Sequence, residues 1–347
     1  MAKVDMQEPL AIGDTIIQAG QRTTVALPMA KLYTHTDMTL TAHVIHGRKP
    51  GPRLFICSTL HGDEINGIEI VRQVLKRKDI NNLHGTLIAI PVVNSFGFIQ
   101  RSRYLPDHRD LNRSFPGSEK GSLGSRLAAL FLKEIVAGCT HGIDLHTGSN
   151  HRFNLPQVRA CLDDPETERL AHAFGAPVVI NSHVRDGSLR AAMADMGITV
   201  LLYESGEAFR FDDLSIRTGV KGIVSVMRAI GMLPPKTATP TQAIFKAHSS
   251  KWVRAPISGM LTKSVKTGKM VAKGDILGNV CDPFGENERT VCAPLSGLVI
   301  GRLNMPLVYQ GDALFHLATR EEEADAAQNQ EEVVSPLGQE DFWPAHR

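Results

Sequence analysis

The chain has 347 residues, 42% apolar and 21% charged, which calls for a buried core and excludes wholesale disorder. Thirty-eight Lys and Arg against 36 Asp and Glu leave a formal charge of +2, too little for a global basic field suited to nucleic acid. Five dispersed cysteines without a CxxC pair fit neither a disulfide framework nor a zinc ribbon, and predict a reducing, cytoplasmic setting.

Residues 1–50 alternate polar and apolar positions, as in Thr39 to Ile45, and predict short antiparallel strands. The rhythm changes at Gly51. Arg53 to Leu60 predicts a buried strand, Ile65 to Lys78 a helix and Thr86 to Val93 a second strand. Leu123 to Val136 reads as one helix, with Ser122 or Ser125 placed to cap it, and Gly142 to His146 as a short strand. Strands at Val158–Leu162, Pro177–Asn181 and Ile198–Tyr203 alternate with helices near 165–174 and 187–196. A last helix runs from Leu214 to Ile230, before Gly231 and the breaker Pro234-Pro235. This alternation predicts an α/β fold, a mixed sheet with helices on both faces.

The linker that follows Pro235 gives way to an all-β pattern, in which Ala255-Pro-Ile-Ser-Gly259 recurs as Ala293-Pro-Leu-Ser-Gly297. Gly-centred turns between and after the copies predict a small sandwich or barrel. Residues 321–347 hold eight acidic residues against Arg347 alone, a net −7, so residues 1–320 carry +9. The expected organisation is an N-terminal β segment (1–50), a catalytic domain (51–235), a C-terminal β domain (236–320) and an acidic, loosely ordered tail (321–347). No stretch approaches 18 apolar residues and residues 1–10 lack a signal-type apolar run, so neither membrane spanning nor standard secretion is expected.

Four motifs carry chemistry. His61-Gly-Asp-Glu64 sits where the first strong strand ends, and open α/β sheets form their sites beyond strand carboxyl ends. A His and a Glu three apart suit a metal, although alone the pair more often serves a solvated loop. Asp144-Leu-His146-Thr-Gly148 ends another strand and offers a third ligand, with Asp144 a candidate orienting acceptor for His146. Arg101-Ser-Arg103 and Asp110-Leu-Asn112-Arg113 supply the guanidinium forks and the amide that hold a carboxylate or an oxyanion. Tyr203-Glu204-Ser-Gly206 ends a third strand with a carboxylate placed to act as base and then acid, and Glu207 competes for that role. Gly117 to Gly124 lacks the phosphate-loop order, and no Gly-x-Ser-x-Gly elbow is present.

In this order, His61-x-x-Glu64, Asn112-Arg113, His146 and Glu204-x-Gly206 resemble the succinylglutamate desuccinylase/aspartoacylase family, a branch of the zinc carboxypeptidase superfamily. The resemblance covers residues 50–235 and extends more loosely to the β region. It implies one zinc ion (Zn2+) per chain on His61, Glu64 and His146, with Glu204 activating the metal water and protonating the leaving amine. It implies that Asn112 and Arg113 grip the substrate carboxylate and that Arg103, with Arg101 as the alternative, polarises the carbonyl. The expected activity is zinc-dependent amide hydrolysis of a small, carboxylate-bearing N-acyl amino acid. The alternatives are a carboxypeptidase-like peptide hydrolase and a non-catalytic binder of small acids.

The paired AP-x-SG segments also resemble biotinyl/lipoyl-type barrel sandwiches. The position of a carrier's modifiable Lys is taken here by Asp282 to Asn287, so a structural or substrate-gating role is expected. The expected partner is a small anionic substrate, with neither nucleic acid nor membrane. Exposed strands leave room for a homo-oligomer.

Overall fold

The computed structural model describes residues 6–236 and 243–320; the acidic tail and part of the linker named above lie outside them. A hairpin of β1 (Leu10–Ile12) and β2 (Thr15–Ile17) precedes β3 (Arg22–Lys31) and β4 (Asp37–His46). Then follow β5 (Lys49–Ser58), α1 (Asn66–Leu75), β6 (His84–Ile90), α2 (Ser95–Gln100), α3 (Leu123–Leu130), β7 (His141–Gly148) and β8 (Arg152–Ala160). The middle of the chain closes with α4 (Pro165–Phe174), β9 (Val178–Asn181), α5 (Leu189–Asp195), β10 (Thr199–Glu207) and α6 (Asp213–Ala229). The C-terminal part is all β: β11 (Phe245–Ala247), β12 (Ser249–Arg254), β13 (Gly259–Thr262), β14 (Met270–Val271), β15 (Ile276–Cys281), β16 (Glu288–Cys292), β17 (Gly297–Leu303), β18 (Leu307–Val308) and β19 (Ala313–Thr319).

Among the described residues, thirteen strands share one mixed sheet. Its centre is parallel: β6, β5, β7 and β10 lie side by side, so their carboxyl ends line one edge. Strand alternation divides the core. Phe55, Cys57, Ile88 and Ile90 face Leu127 of α3 and Leu189 and Met193 of α5, whereas Leu54, Ile56, Leu145 and Tyr203 face α1, α4 and α6. Fully buried aliphatic side chains of this kind each contribute about 1.5–3 kcal/mol. Helices therefore cover both faces, as the alternating pattern requires.

Some details differ from the sequence pattern, and β8 opens at Arg152, six residues before the strand expected from Val158. Leu123 to Val136 is an α-helix to Leu130 and then one π turn, Phe131–Val136. Both geometries keep Phe131, Ile135 and Val136 buried, so apolar spacing cannot separate them. Ser122 caps this helix, its hydroxyl accepting from Ser125 N at 3.4 Å. Helix α2 is short, and its 3.6-residue period is not repeated often enough to stand out.

The C-terminal part is two-layered. Strands β16, β15, β13 and β18 form a small sheet, while β12, β19 and β17 extend the large one through antiparallel pairing of β17 with β8. Ala255 and Ala293 of the repeat are buried in the core between these layers, and Gly259 and Gly297 open β13 and β17. In space, the β region is thus continuous with the sheet that carries the metal-ligand candidates.

Candidate active site

The parallel centre of the sheet brings the motifs together. His61 and Glu64 lie in the loop after β5, His146 lies on β7, and Glu204 on β10 is its direct partner across the ladder. Parallel partners point to the same face, and both oppose neighbours, Leu145 and Tyr203, that belong to the other core. Thr59, at the bend, has a φ of 59°, a conformation that strains a β-branched residue. Its hydroxyl donates to the carbonyls of Glu64 and Pro91, both at 3.2 Å, and holds the loop down. Gly62 allows the close approach: a Cβ there would lie 2.0 Å from the Gly97 carbonyl carbon of α2.

Glu64 is the hub. Its Oε1 is 2.8 Å from His61 Nδ1, and its Oε2 is 2.8 Å from His146 Nδ1 and accepts from Thr147 N at 3.1 Å. The far sides of both rings are held as well, His146 Nε2 by Asp144 at 2.9 Å and His61 Nε2 by Asp110 at 3.2 Å. Asp144 and His146 are two apart on a strand and so share a face. Asp110 also caps the turn Leu111–Arg113, accepting from Asn112 N at 2.8 Å, which ties the carboxylate-gripping motif to His61.

For Glu64, His61 and His146 burial is the largest single influence, and the neighbours together outweigh it. Burial favours a protonated Glu64, yet the two imidazoles hold its carboxyl well below the usual range. Burial likewise opposes a charged His146, but Asp144 and Glu64 raise it well above the ordinary imidazole value; Glu64 and Asp110 also raise His61. Burial, with the charge of Glu64, pushes Asp63 up to about 6.

His61, Glu64 and His146 present ligand atoms within 4.8 Å of one another and are all buried. The donor set fits a divalent metal: two imidazoles and a carboxylate converge, and each ring is oriented by a further carboxylate. Three carboxylates (Glu64, Asp110, Asp144) against Arg103 give this cluster, with neutral imidazoles, a net charge that a dication cancels. Asp144→Asn keeps the shape of the side chain but withdraws the charged acceptor behind His146. It is expected to weaken metal binding about 10–100-fold. Competition with a chromophoric chelator measures this, and unchanged affinity would remove Asp144 from the site.

The structure places the remaining residues as follows. Arg103 reaches the cluster, with Nη1 3.4 Å from Glu64 Oε1 and Nη2 3.0 Å from Asp110 Oδ2. Arg101 ends α2 in the left-handed conformation and is exposed. Asn112 is half-buried, its Oδ1 accepting from Leu189 N at 2.9 Å at the start of α5; Arg113 is exposed, donating to the Asn112 carbonyl at 2.8 Å. Glu204 accepts from Asn154 Nδ2 at 2.9 Å. Glu207 lies beyond a bulge at Gly206 (φ +79°) and accepts instead from Asn304 Nδ2 at 2.7 Å. Asn154, Gln157, Arg159, Arg190 and His316 also gather here, and nothing in the local sequence marks them as site residues. Asn154, Gln157 and Arg159 share β8, while Arg190 on α5 and His316 on β19 come from distant parts of the chain.

The layout is that of a hydrolase whose chemistry is gathered at the carboxyl edge of a parallel sheet. The sequence profile of the succinylglutamate desuccinylase/aspartoacylase catalytic domain matches residues 50–230, and the chain belongs to that family of amide-bond deacylases. It is 27% identical over 246 residues to the N-alpha-acetyl-L-2,4-diaminobutyric acid deacetylase of Halomonas elongata, a match covering 68% of this chain and 72% of the relative. Its fold is shared with the ectoine utilization protein EutE (DoeB) of Ruegeria pomeroyi (24% identity, TM-score 0.77, covering 86% of this chain and 95% of that one). It is shared equally with a succinylglutamate desuccinylase/aspartoacylase from Rhodobacter sphaeroides (24%, TM-score 0.75, 86% and 95%). Among the described residues, no helix is long and apolar enough to cross a membrane.

Proposed function

We propose that the chain is a zinc-dependent amidohydrolase that removes the acyl group from a small, carboxylate-bearing N-acyl amino acid. The observation that carries this reading is the buried His61–Glu64–His146 cluster with Glu204 one strand away on the same face. A zinc ion on those three residues would supply Lewis acidity, polarising the amide carbonyl and acidifying water. Glu204 takes the proton of the attacking water and returns it to the amine nitrogen as the C–N bond breaks. Asn154 holds Glu204 by one oxygen, leaving the other for the proton. Arg103 donates to the carbonyl oxygen as negative charge develops there. Asn112 and Arg113 hold the substrate carboxylate, and Arg101 takes an outer place at the rim. The products are a carboxylic acid and an amino acid.

In this reading residues 51–235 form the catalytic unit, and residues 236–320 limit the size of what enters. A cytoplasmic, reducing setting suits the five free thiols. A hydrolysis screen over N-acetyl, N-succinyl and N-formyl amino acids and short peptides, with added zinc, tests the assignment. Turnover of peptides but not of N-acyl amino acids would overturn it.

A protonated imidazole has no lone pair for a metal. The raised proton affinities of His61 and His146 therefore make zinc displace protons, and affinity should rise with pH through and above the ordinary histidine range. Calorimetry in buffers of different ionisation heat reads this proton release. Zinc affinity that stays flat from about pH 6 to pH 8 would contradict it.

A further inference from the structure

The helices on the face of the sheet away from Glu204 carry a basic groove that the reaction as described leaves unused. Residues of α1 and α6 enclose it, with a volume of about 260 Å³. On α6, Arg217, Lys221, Val224 and Arg228 recur at helical spacing and share one face. Val220 and Val224 are the apolar part of the lining, Arg77 bounds it from α1, and Lys236 closes it after α6. Arg77 grips Asp79 with Nε at 2.9 Å and Nη2 at 2.6 Å, and Arg228 Nη2 reaches the same carboxylate at 3.5 Å. Arg217 and Lys221 are exposed, four apart, and repel each other. Neither they nor Lys236 has an ion pair among the described residues. Asp79 shows what such a groove binds, a carboxylate between paired guanidiniums.

The chain itself carries a complementary segment. Residues 321–347 hold a net −7, and their acids stand beside apolar pairs. Glu331-Glu332 precede Val333-Val334, and Glu340-Asp341 precede Phe342-Trp343. Acids next to apolar side chains match cations set around two valines. The starting point fits as well. The Arg320 guanidinium lies 4.9 Å from the centre of the Phe245 ring, and Phe245 N donates to the Pro177 carbonyl at 2.9 Å. Lys246 pairs with Glu168 of α4 at 2.6 Å, and Arg169 of α4 donates to the Ala229 carbonyl of α6 at 3.2 Å. The segment therefore starts beside α4, one helix from α6, and packed helix axes lie about 8–10 Å apart. Glu331 is 11 residues beyond Arg320 and Glu340 is 20, extended reaches of about 36 Å and about 66 Å. Both suffice to cross α6.

We propose that the groove between α1 and α6 receives the chain's own acidic segment, residues 321–347, with an acid pair on the cations and the adjoining apolar pair on Val220 and Val224. Tethering favours this occupant over a free peptide or a second copy. An attached segment acts at an effective concentration near the millimolar range, so ion pairs that are weak one by one suffice. Lys263, Lys266, Lys269 and Lys273, exposed on turns around β14, offer a rival basic surface. Its four cations are all lysines, and a guanidinium fork fits a carboxylate better than an ammonium does. Bound in the groove, the segment braces α1, which follows the Glu64 loop, against α6, which follows the Glu204 strand.

Zero-length carbodiimide cross-linking of the whole chain, read by trypsin digestion and mass spectrometry, tests this. Residues 321–347 contain no Lys or Arg before Arg347 and leave as one peptide. The Lys246–Glu168 and Lys133–Glu119 pairs, at 2.6 Å and 2.9 Å, serve as internal controls. The expected links join Lys221 or Lys236 to Glu331, Glu332, Glu340 or Asp341 within one chain. Arg217→Glu, a change at an exposed position, should cut their yield about threefold and leave the control links as they are. Salt at about 1 M, where the screening length is about 3 Å, should lower the yield too. A mixture of ordinary and heavy-nitrogen chains identifies the occupant: links of mixed mass alone would give the groove to a second copy and overturn the proposal. Links confined to the lysines around β14, no links from the segment while the controls form, or a yield indifferent to Arg217→Glu would overturn it as well.

Discussion

Glu204→Gln should bind zinc as the parent does and hydrolyse N-acyl amino acids roughly 10²–10⁴-fold more slowly. Gln has the size of Glu and keeps an oxygen for Asn154 Nδ2, so the ladder contact with His146 and the local packing survive. What it lacks is a group that takes up a proton near neutral pH. The loss should therefore fall on kcat and leave KM nearly unchanged, since the substrate carboxylate is held elsewhere. Zinc content and Tm of the variant separate this outcome from a folding defect. Activity within tenfold of the parent would return the proton-transfer role to Glu207 or to another group.

His146→Ala should do more. It removes one of three candidate ligands and leaves Asp144 and Glu64 facing a gap from which their shared partner has gone. With a zinc free energy of order 10 kcal/mol, losing one ligand of three costs roughly 3 kcal/mol, about 10²-fold in affinity. Turnover should fall to background at zinc concentrations that saturate the parent. The loss should exceed that of Asp144→Asn, because a ligand is removed and not merely reoriented. Chelator competition and elemental analysis measure both variants side by side. Parental zinc affinity in His146→Ala would move the metal away from this cluster.

The fold was legible where side-chain period is strong. Strands such as Arg53–Leu60 and Ile198–Tyr203 are continuous apolar runs because a parallel strand is covered on both faces, and the helices between them keep a clear apolar stripe. The His61, His146 and Glu204 motifs stood out because each follows such a strand, and parallel strands deliver their ends to one edge. Asp144 shows where local reasoning halts and geometry continues: two residues from His146 on an unbroken strand, it faces the same ring.

The polar residues beside Glu204 were not legible for the opposite reason. His316 is a lone imidazole in a largely apolar strand and Gln157 one of four polar residues on β8, 159 positions apart, and both resemble ordinary buried exceptions. Only the pairing of β10 with β8, of β8 with β17 and of β17 with β19 brings them beside Glu204, and hydrophobic pattern does not encode which strands become neighbours. The same pairing made the C-terminal β region part of the main sheet, although its composition sets it apart at Pro234-Pro235. Strands from either side of that compositional break pair in one sheet, and the residues lost from view are those that meet across the join.

The central claim is that a metal on His61, Glu64 and His146 drives amide hydrolysis with Glu204 as the proton carrier. It is tested most directly by stripping the protein with a chelator and titrating zinc back while following hydrolysis of an N-acyl amino acid. The account predicts negligible activity when stripped and a linear rise to a plateau at about one zinc per chain. Full activity in the stripped protein, or a zinc-loaded protein inert toward every N-acyl amino acid tried, would contradict it.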